Sequence, residues 1–266
     1  MSVRKCSCDA IRFVPRKANE DGVTFLRTAK EITRDLIARA GLSRLHVSLR
    51  KLRGENVDHL LHASLSERFS AVYKNRVWIR ARSDGSPSGS GSDLENTGSV
   101  RQYLAELLKS LSTQSLLDVG CGDFTWMKEI PFPFRYTGID IVAEVIAANA
   151  KLYCSKQRSF LTLDATRDPL PMSDTILCRE VLFHLSFQDI QRLLENCRKS
   201  GASFLIATSD SDLQYNADIL SGDFRLLNLE KAPFFFPPPA HSIPDDGVSA
   251  GRRLSAWKLA DLPVHR

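Results

Sequence analysis

Three aspartates stand where short apolar runs end: Asp118, Asp140 and Asp164. In an open parallel sheet, ligands bind beyond the carboxyl ends of the strands. Carboxylates at that edge accept hydrogen bonds from ribose hydroxyls and from an exocyclic amine. These residues therefore predict a nucleoside site, and we expect their neighbours Ile141 and Ala165 to line it.

Two glycines flank Cys121 directly after the first apolar run, in the order Gly120-Cys121-Gly122. Glycine lets a chain turn tightly and lets backbone N–H groups come close to a ligand. Asp140 follows Asp118 by 22 residues, near the spacing expected for an acidic group that binds a ribose. We therefore expect the whole turn to bind a cofactor together with these two aspartates.

The same turn distinguishes between two kinds of nucleoside cofactor. A nicotinamide dinucleotide site usually carries G-x-G-x-x-G, but Thr125 stands at the third glycine position. Asp123 would bring a negative charge close to a diphosphate, whereas it would tolerate a cationic sulfonium or an amino group. The sequence therefore favours S-adenosylmethionine (SAM) over a dinucleotide.

Candidate catalytic residues follow the fourth apolar run, where Arg179-Glu180 is followed by His184. Methyl transfer to a hydroxyl needs a base, and histidine has a suitable unperturbed pKa. On a helix, the four-residue spacing would place Glu180 and His184 on one face. His184 is therefore predicted to be the base, and Glu180 to orient it or the sulfonium. Alternatively, His184 packs against the helix that follows.

Arg179 has three interpretations from the sequence. It stands at the predicted catalytic rim, so we expect it to line the cofactor site. It could instead bind an acidic group of the substrate or form an ion pair with Glu180, and the ion pair is slightly favoured over the substrate contact.

The elements that must position these residues alternate between apolar runs and helical patterns. Such alternation predicts a parallel sheet with helices on both faces. The predicted strands are 116–119, 136–139, 160–163, 175–178 and 204–207, and the predicted helices are 100–111, 142–156 and 187–199.

The last part of the chain departs from this alternation. Two further strands are predicted, 224–229 and 254–259, and a proline-rich loop rather than a helix separates them. That arrangement favours an antiparallel pair at a sheet edge. The loop segment Pro233–Pro239 is predicted to form a wall of the acceptor pocket, with packing onto the sheet or a partner surface as alternatives. His241, just beyond it, is a weaker candidate base.

Residues 115–208 resemble the class I SAM-dependent methyltransferase family, since Leu116–Gly122 is similar to its first motif. The resemblance implies a Rossmann-like, mostly parallel seven-stranded sheet with an antiparallel last strand. It also implies that Asp140 holds the ribose hydroxyls and that Asp164-Ala165 lies beside the adenine. Phe124 departs from the family, because many members have a third glycine there.

A looser resemblance links the chain to bacterial methyltransferases that act on carbohydrates or natural products. It is carried by Tyr73–Trp78, Ser88–Ser92 and the stretch 227–237. This resemblance implies a small-molecule or carbohydrate-like acceptor, methylated at oxygen. It assigns no catalytic residue.

Three zones are predicted along the chain. Residues 1–65 form a basic, partly helical extension, with thirteen Lys/Arg against seven Asp/Glu. Residues 66–112 form a bridge with a Ser/Gly-rich stretch, Ser83–Asp93, which is either a linker or a lid over the cofactor. Residues 113–266 form the SAM-binding domain. The basic extension is either a solvated helical preface or a surface that attracts nucleic acid.

Composition and cysteine usage exclude several other classes. No run of 18 apolar residues exists and no secretory signal is recognisable, so no membrane span is expected. The six cysteines form no CxxC pair, which favours reduced thiols in a cytoplasmic protein and no metal site, since Cys6-x-Cys8 stands alone.

Two alternatives to a small-molecule methyltransferase remain open. One is an enzyme that methylates RNA or protein and grips it with the basic extension; nucleic acid is not favoured, because the Asn-Pro-Pro-aromatic signature of many amino-group methyltransferases is absent after the fourth strand. The other is a SAM-binding module without catalysis. It is favoured only if His184 and Glu180 both point away from the cofactor.

Overall fold

Seven short strands form one mixed sheet in the computed structural model, which describes residues 31–79, 85–131 and 133–264. The order across the sheet is β3-β2-β1-β4-β5-β7-β6. β7 runs antiparallel to both of its neighbours, whereas β1 to β5 are mutually parallel. The predicted fold class is therefore confirmed. The strands are β1 (Ser115–Val119), β2 (Arg135–Asp140), β3 (Arg158–Thr162), β4 (Thr175–Cys178), β5 (Phe204–Asp210), β6 (His241–Pro244) and β7 (Arg252–Lys258).

Helices cover both faces of the sheet because the strand side chains alternate in direction. Leu116 of β1 packs with α4 and α5 on one face, while Leu117 and Val119 pack with α6 on the other. The helices are α1 (31–39), α2 (Ser43–Leu52), α3 (Leu65–Lys74), α4 (Gly98–Ser110), α5 (Ala143–Tyr153) and α6 (Phe187–Lys199).

All three predicted helices are present, as α4, α5 and α6. Helices connect β2 to β3 and β4 to β5, as expected. Between β1 and β2 the described residues form only a short 3-10 turn, Met127–Glu129, and residues 163–174 between β3 and β4 contain no helix. Each of these connections carries two prolines, which lack the N–H that a helix interior needs.

The predicted strand 224–229 is wrong, and β6 lies further along the chain at His241–Pro244. Leu227 and Leu229 are fully buried, as the pattern suggested, but they pack in the core on the α6 side of the sheet. Side-chain amides satisfy the backbone there: Asn216 donates to the Asn228 carbonyl at 2.8 Å and accepts from the Asn228 N–H at 2.8 Å. The segment therefore needs no strand partner.

The predicted wall of the acceptor pocket, Pro233–Pro239, packs onto the sheet instead. Phe234 and Phe236 are buried, and they meet Phe187 and Trp257 edge to face at centroid distances of 5.3 Å each. None of this segment lines the cleft described below. The alternative of packing onto the sheet is thus the correct one.

Helices α1 and α2 pack on the irregular segment that follows β5. Asp35 accepts hydrogen bonds from the Tyr215 hydroxyl at 2.6 Å and from the Asp218 N–H at 3.0 Å. Val47, Val57 and Leu60 form a small core of their own, and Leu220 packs against it. The predicted boundary at residue 65 coincides with the start of α3, which Ser64 caps. The three-zone division stays a prediction.

Candidate active site

One open cleft of about 960 Å³, its mouth included, lies at the carboxyl ends of β1, β2 and β4. All eleven residues that the sequence predicted for cofactor binding and catalysis line this cleft. They are Asp118, Gly120, Cys121, Gly122, Asp140, Ile141, Asp164, Ala165, Arg179, Glu180 and His184.

The turn after β1 needs its two glycines for conformation and for close packing. Gly120 and Gly122 have φ of +67° and +57°. A Cβ on Gly120 would lie 2.4 Å from a Val181 methyl, and one on Gly122 would lie 2.4 Å from the Ser88 hydroxyl oxygen. The prediction that this turn offers its N–H groups to a ligand is wrong, because the Gly120 and Cys121 N–H groups donate to the Ile139 carbonyl.

Asp140 is a buried carboxylate at the end of β2. Its two oxygens accept from the Val142 N–H at 3.0 Å and the Gly122 N–H at 3.2 Å. Burial raises the pKa of this carboxyl, and the backbone hydrogen bonds oppose that rise. No ion pair involves Asp140 within the described ranges, so each oxygen retains a lone pair for a donor in the cleft.

Asp118 lies deeper, in β1, where burial and, to a smaller extent, the charge of Asp140 raise its pKa to about 7. The Tyr136 hydroxyl donates to Asp118 Oδ2 at 2.6 Å and opposes the shift. Cys121 is likewise buried, and burial raises the pKa of its thiol well above the usual value. This thiol is protonated and inert at neutral pH.

Asp164 shapes the wall of the cleft through its own turn. Its Oδ1 accepts from the Thr166 N–H at 2.9 Å and the Thr166 hydroxyl at 2.7 Å. Its N–H donates to Asp168 Oδ2 at 2.8 Å. The carboxylate thereby fixes the turn that presents Ala165 and Thr166 to the cleft.

Glu180 and His184 line the same cleft, although the expected shared helix face is wrong. Glu180 has φ of +62°, and only the short 3-10 turn Leu182–His184 follows it. Glu180 Oε1 forms a short ion pair with Arg252 Nη1. Its other oxygen, Oε2, lies against Gly91, where an added Cβ would approach to 2.0 Å. Oε2 accepts no hydrogen bond from any described residue.

Arg179 forms a buried bidentate pair with Asp245, with N–O distances of 2.7 and 3.1 Å. Its third nitrogen donates to the Gly91 carbonyl at 2.8 Å. The favoured ion pair with Glu180 is present but long, at 3.8 Å. The guanidinium thus connects the rim after β4 to two distant segments, and it still borders the cleft.

His184 presents one ring nitrogen as an acceptor. Its Nδ1 lies 3.0 Å from the Asp223 carbonyl oxygen, which can only accept, so the proton resides on Nδ1. No described residue hydrogen-bonds to Nε2. Burial lowers the pKa of this imidazole to about 4, which keeps it neutral at pH 7. The Trp78 ring packs against it at a centroid distance of 4.5 Å.

The described part of the Ser/Gly-rich stretch, from residue 85, lies over the glycine turn. The Ser86 hydroxyl donates to Asp123 Oδ2 at 2.6 Å, and the Asp123 N–H donates to the Ser88 hydroxyl oxygen at 2.9 Å. The Tyr73 hydroxyl lies 3.0 Å from the same Ser88 oxygen. Asp123 therefore does not line the cleft; it anchors a segment that covers the turn.

Several cleft or rim residues escaped the sequence-based prediction. Leu65 and Trp126 line the cleft, and Asp245, Arg252 and Asp223 hold its rim. No local motif marks them, because each acts through a contact with a residue that is remote in sequence. His241, the weaker candidate base, starts β6 at an exposed position outside the cleft.

Among the described residues, no cluster of three or more His, Cys, Asp or Glu could hold a metal ion. Cys6 and Cys8 lie outside those residues. Nor does any helix in the described ranges have the length and apolar character to cross a membrane.

Residues 117–201 match the family model described as a methyltransferase domain. The predicted class I SAM-dependent methyltransferase is therefore confirmed in this part of the chain, together with its cofactor, SAM. No protein of curated function is significantly similar in sequence to this chain.

Several solved structures are similar to this chain at low sequence identity. The N-methyltransferase NodS from Bradyrhizobium japonicum WM9 is 18% identical with a TM-score of 0.47, and the match covers 61% of this chain and 96% of that chain. Human N-acetylserotonin methyltransferase, in complex with SAM, is 17% identical with a TM-score of 0.48, covering 84% and 68%. Magnesium protoporphyrin IX methyltransferase from Synechocystis PCC 6803, with bound SAM, is 13% identical with a TM-score of 0.47, covering 73% and 97%.

Proposed function

We propose that this methyltransferase methylates a hydroxyl oxygen of a small-molecule or carbohydrate-like acceptor, and that His184 takes up the proton. The observation that supports this most directly is the state of His184. Its Nδ1–H is bound to the Asp223 carbonyl, so its unprotonated Nε2 is available in a cleft that also holds the predicted cofactor residues.

The residues present fit SAM better than a dinucleotide. When bound, SAM supplies a methyl group on a positively charged sulfur. Asp140 would accept hydrogen bonds from the ribose hydroxyls, and the Asp164–Thr166 turn would border the adenine. A diphosphate is disfavoured because no α-helix starts within residues 123–131 after the glycine turn, so no helix N-terminus is offered there.

The low basicity of His184 favours oxygen over nitrogen as the methylated atom. As a hydroxyl oxygen bonds to the methyl carbon, its O–H becomes strongly acidic and gives its proton even to a weak base. An ammonium group formed at nitrogen is a far weaker acid. An imidazole whose pKa is about 4 therefore matches a hydroxyl acceptor.

Glu180 would bind the acceptor alongside His184. Its Oε1 is occupied by Arg252, whereas Oε2 is available to a hydroxyl donor. The aromatic rings of Tyr73 and Trp78 border the same cleft and would cover an apolar face of the acceptor, such as that of a sugar ring. Arg179 would maintain this rim through Asp245 rather than contact the cofactor.

The two alternatives gain less support. A module without catalysis is disfavoured because Glu180 and His184 both line the cleft. A macromolecular acceptor is disfavoured because Arg34 and Arg50 of the basic extension point inward, to Asp223 and, for Arg34, also to the Phe224 carbonyl. The four described cysteines are free, consistent with the predicted cytoplasmic location.

The test is transfer of label from [methyl-³H]SAM to panels of hydroxylated small molecules, amines and structured RNA. We expect label in the hydroxylated panel, as an alkali-stable ether. His184→Gln should lower kcat by about 100-fold while the Kd for SAM changes less than about threefold. His241→Gln is the matched control and should leave kcat unchanged. Label on nitrogen or in RNA, or full activity of His184→Gln, would contradict the proposal.

A further inference from the structure

The 3-10 turn that carries His184 is held by one short segment, Gly222–Arg225. The Phe183 carbonyl accepts from the Arg225 N–H at 3.0 Å, and the His184 carbonyl accepts from the Gly222 N–H at 2.8 Å. The Asp223 carbonyl in turn accepts from His184 Nδ1. Backbone and ring of the histidine are thus fixed by the same four residues.

Arg225 completes this arrangement with its side chain. It is 2% exposed, and its guanidinium donates to the carbonyls of Leu182 and Leu185 at 2.6 Å each and of Ala217 at 3.1 Å. No carboxylate forms an ion pair with it among the described residues. Burial of a cation whose partners are all backbone carbonyls lowers the free energy of unfolding. We therefore expect Arg225 to fix the geometry of the turn rather than to stabilise the fold.

The N-terminal helices hold the Gly222–Arg225 segment from the other side. Arg34 and Arg50 both form ion pairs with Asp223 Oδ2, the second at 2.6 Å, and Arg34 also donates to the Phe224 carbonyl at 2.9 Å. His59 Nε2 lies 3.2 Å from the Gly222 carbonyl oxygen. The three side chains of Arg34, Arg50 and Asp223 are each less than 20% exposed.

We propose that Asp223 is a positioning residue for His184, and that Arg34 and Arg50 of the N-terminal helices keep it in place. The carbonyl of Asp223 selects the Nδ1–H form of the imidazole and leaves Nε2 available to the cleft. Its carboxylate is the point at which both arginines are attached. The basic helices α1 and α2 therefore fix the position of His184 through Asp223, without contacting substrate themselves.

This inference rests on the proposed function only for the meaning of the His184 orientation, and its main readout, the tautomer of His184, needs no acceptor. The full-length protein is labelled with ¹⁵N-histidine, and the tautomer of each ring is identified from its nitrogen resonances. His184→Gln assigns the signal of interest among the six histidines. The wild-type His184 signal should be that of an imidazole protonated at Nδ1, which is the less common tautomer in free histidine.

The decisive variant is Arg34→Gln/Arg50→Gln, compared with Lys51→Gln. Lys51 is the control because it lies on the same helix as Arg50 and pairs with Asp58 at 2.9 Å, with both side chains more than half exposed. The double variant should shift the His184 signal toward mixed tautomers, and kcat should fall at least about tenfold with KM for SAM within about threefold. Lys51→Gln should match wild type.

An unchanged His184 signal in the folded double variant would overturn the inference. So would a loss of SAM affinity greater than about tenfold, because the segment would then support the whole cleft rather than His184. If the double variant does not fold, Asp223→Asn applies the same test from the other partner. A wild-type protein that fails to bind SAM would refute the proposed function while the comparison of His184 signals still stands.

Discussion

The cleft has two halves that are built in different ways: the proposed cofactor half around Gly122 and Asp140, and the proposed acceptor half around Arg179 and His184. In the cofactor half, Asp140 bonds to Gly122 across 18 residues of sequence, and Asn149 donates to the Gly122 carbonyl across 27. In the acceptor half, Arg179 reaches Gly91 across 88 residues and Arg34 reaches Phe224 across 190. The first half follows from the register of adjacent strands, whereas the second depends on side chains that tie remote segments to backbone carbonyls.

This difference explains how each half can fail. Loss of a carboxylate in the cofactor half removes one ligand contact from a frame that the sheet still holds. In the acceptor half, loss of a charged side chain such as Arg34 removes a contact that fixes a loop segment. We expect that segment to shift and to change the orientation of the residue it contacts, such as His184. Substitutions in the acceptor half are therefore expected to change the orientation of His184, and substitutions in the cofactor half to change the affinity for SAM.

The largest expected effect is the loss of SAM affinity when Asp140 in the cofactor half is substituted. Asp140→Ala should weaken SAM binding by about 100-fold, because charge-assisted hydrogen bonds to the ribose are lost from a buried position. Isothermal titration calorimetry measures the change, with Asp246→Ala as control, since Asp246 is an exposed carboxylate that accepts a hydrogen bond from Ser99 on the surface. Unchanged affinity of Asp140→Ala would mean that the ribose lies elsewhere.

A smaller effect is expected on the pH dependence of the free energy of unfolding, because His184 in the acceptor half is buried. Its pKa is lowered from 6.5 to about 4, so the unfolded chain takes up a proton below pH 6.5 and the folded chain only below about pH 4. The free energy of unfolding should therefore fall between pH 6.5 and 4. This residue should contribute roughly 2 kcal/mol of that fall, since its ring stays partly open to the cleft.

The measurement compares urea unfolding of wild type and His184→Gln across this pH range. The comparison isolates His184 from other groups, such as Asp118, whose pKa is raised to about 7 and whose contribution has the opposite sign. The variant should lose less stability on acidification than wild type. Parallel curves would show that His184 is not buried as a neutral imidazole.

The smallest expected effect is a pH dependence of ligand preference that arises from the charge of Asp118 in the cofactor half. A cationic ligand favours the ionised form of Asp118, whereas S-adenosylhomocysteine lacks the sulfonium charge. The preference for SAM over S-adenosylhomocysteine should therefore rise about threefold from pH 6 to pH 8, through the pKa of about 7. Asp118→Asn, which can still accept from Tyr136, should abolish this rise. A rise that persists in the variant would assign it to another group.

The cofactor half could be predicted from the sequence because local signals determine it. Asp118, Asp140 and the two glycines follow strands whose apolar patterns are clear, and parallel strands bring their ends to one edge. The acceptor half could be predicted only in part. His184 was found by residue type, but its partner Asp223 acts through a backbone carbonyl, and a carbonyl leaves no trace in sequence.

Two predictions failed for a related reason. The segment 224–229 has the apolar pattern of a strand, but the side-chain amide of Asn216 bonds to both backbone groups of Asn228, and pattern alone does not reveal such bonds. The spacing of Glu180 and His184 suggested a helix, but the positive φ of Glu180 excludes one. Close packing of Gly91 and Arg252 around this carboxylate sets its position.

The most direct test of the central claim is a crystal structure of the protein with S-adenosylhomocysteine. We expect the ribose hydroxyls within hydrogen-bonding distance of the Asp140 carboxylate, the adenine beside the Asp164–Thr166 turn, and the thioether sulfur on the side of the cleft that His184 and Glu180 line. A nucleoside bound outside this cleft, or its sulfur turned away from His184, would contradict the account.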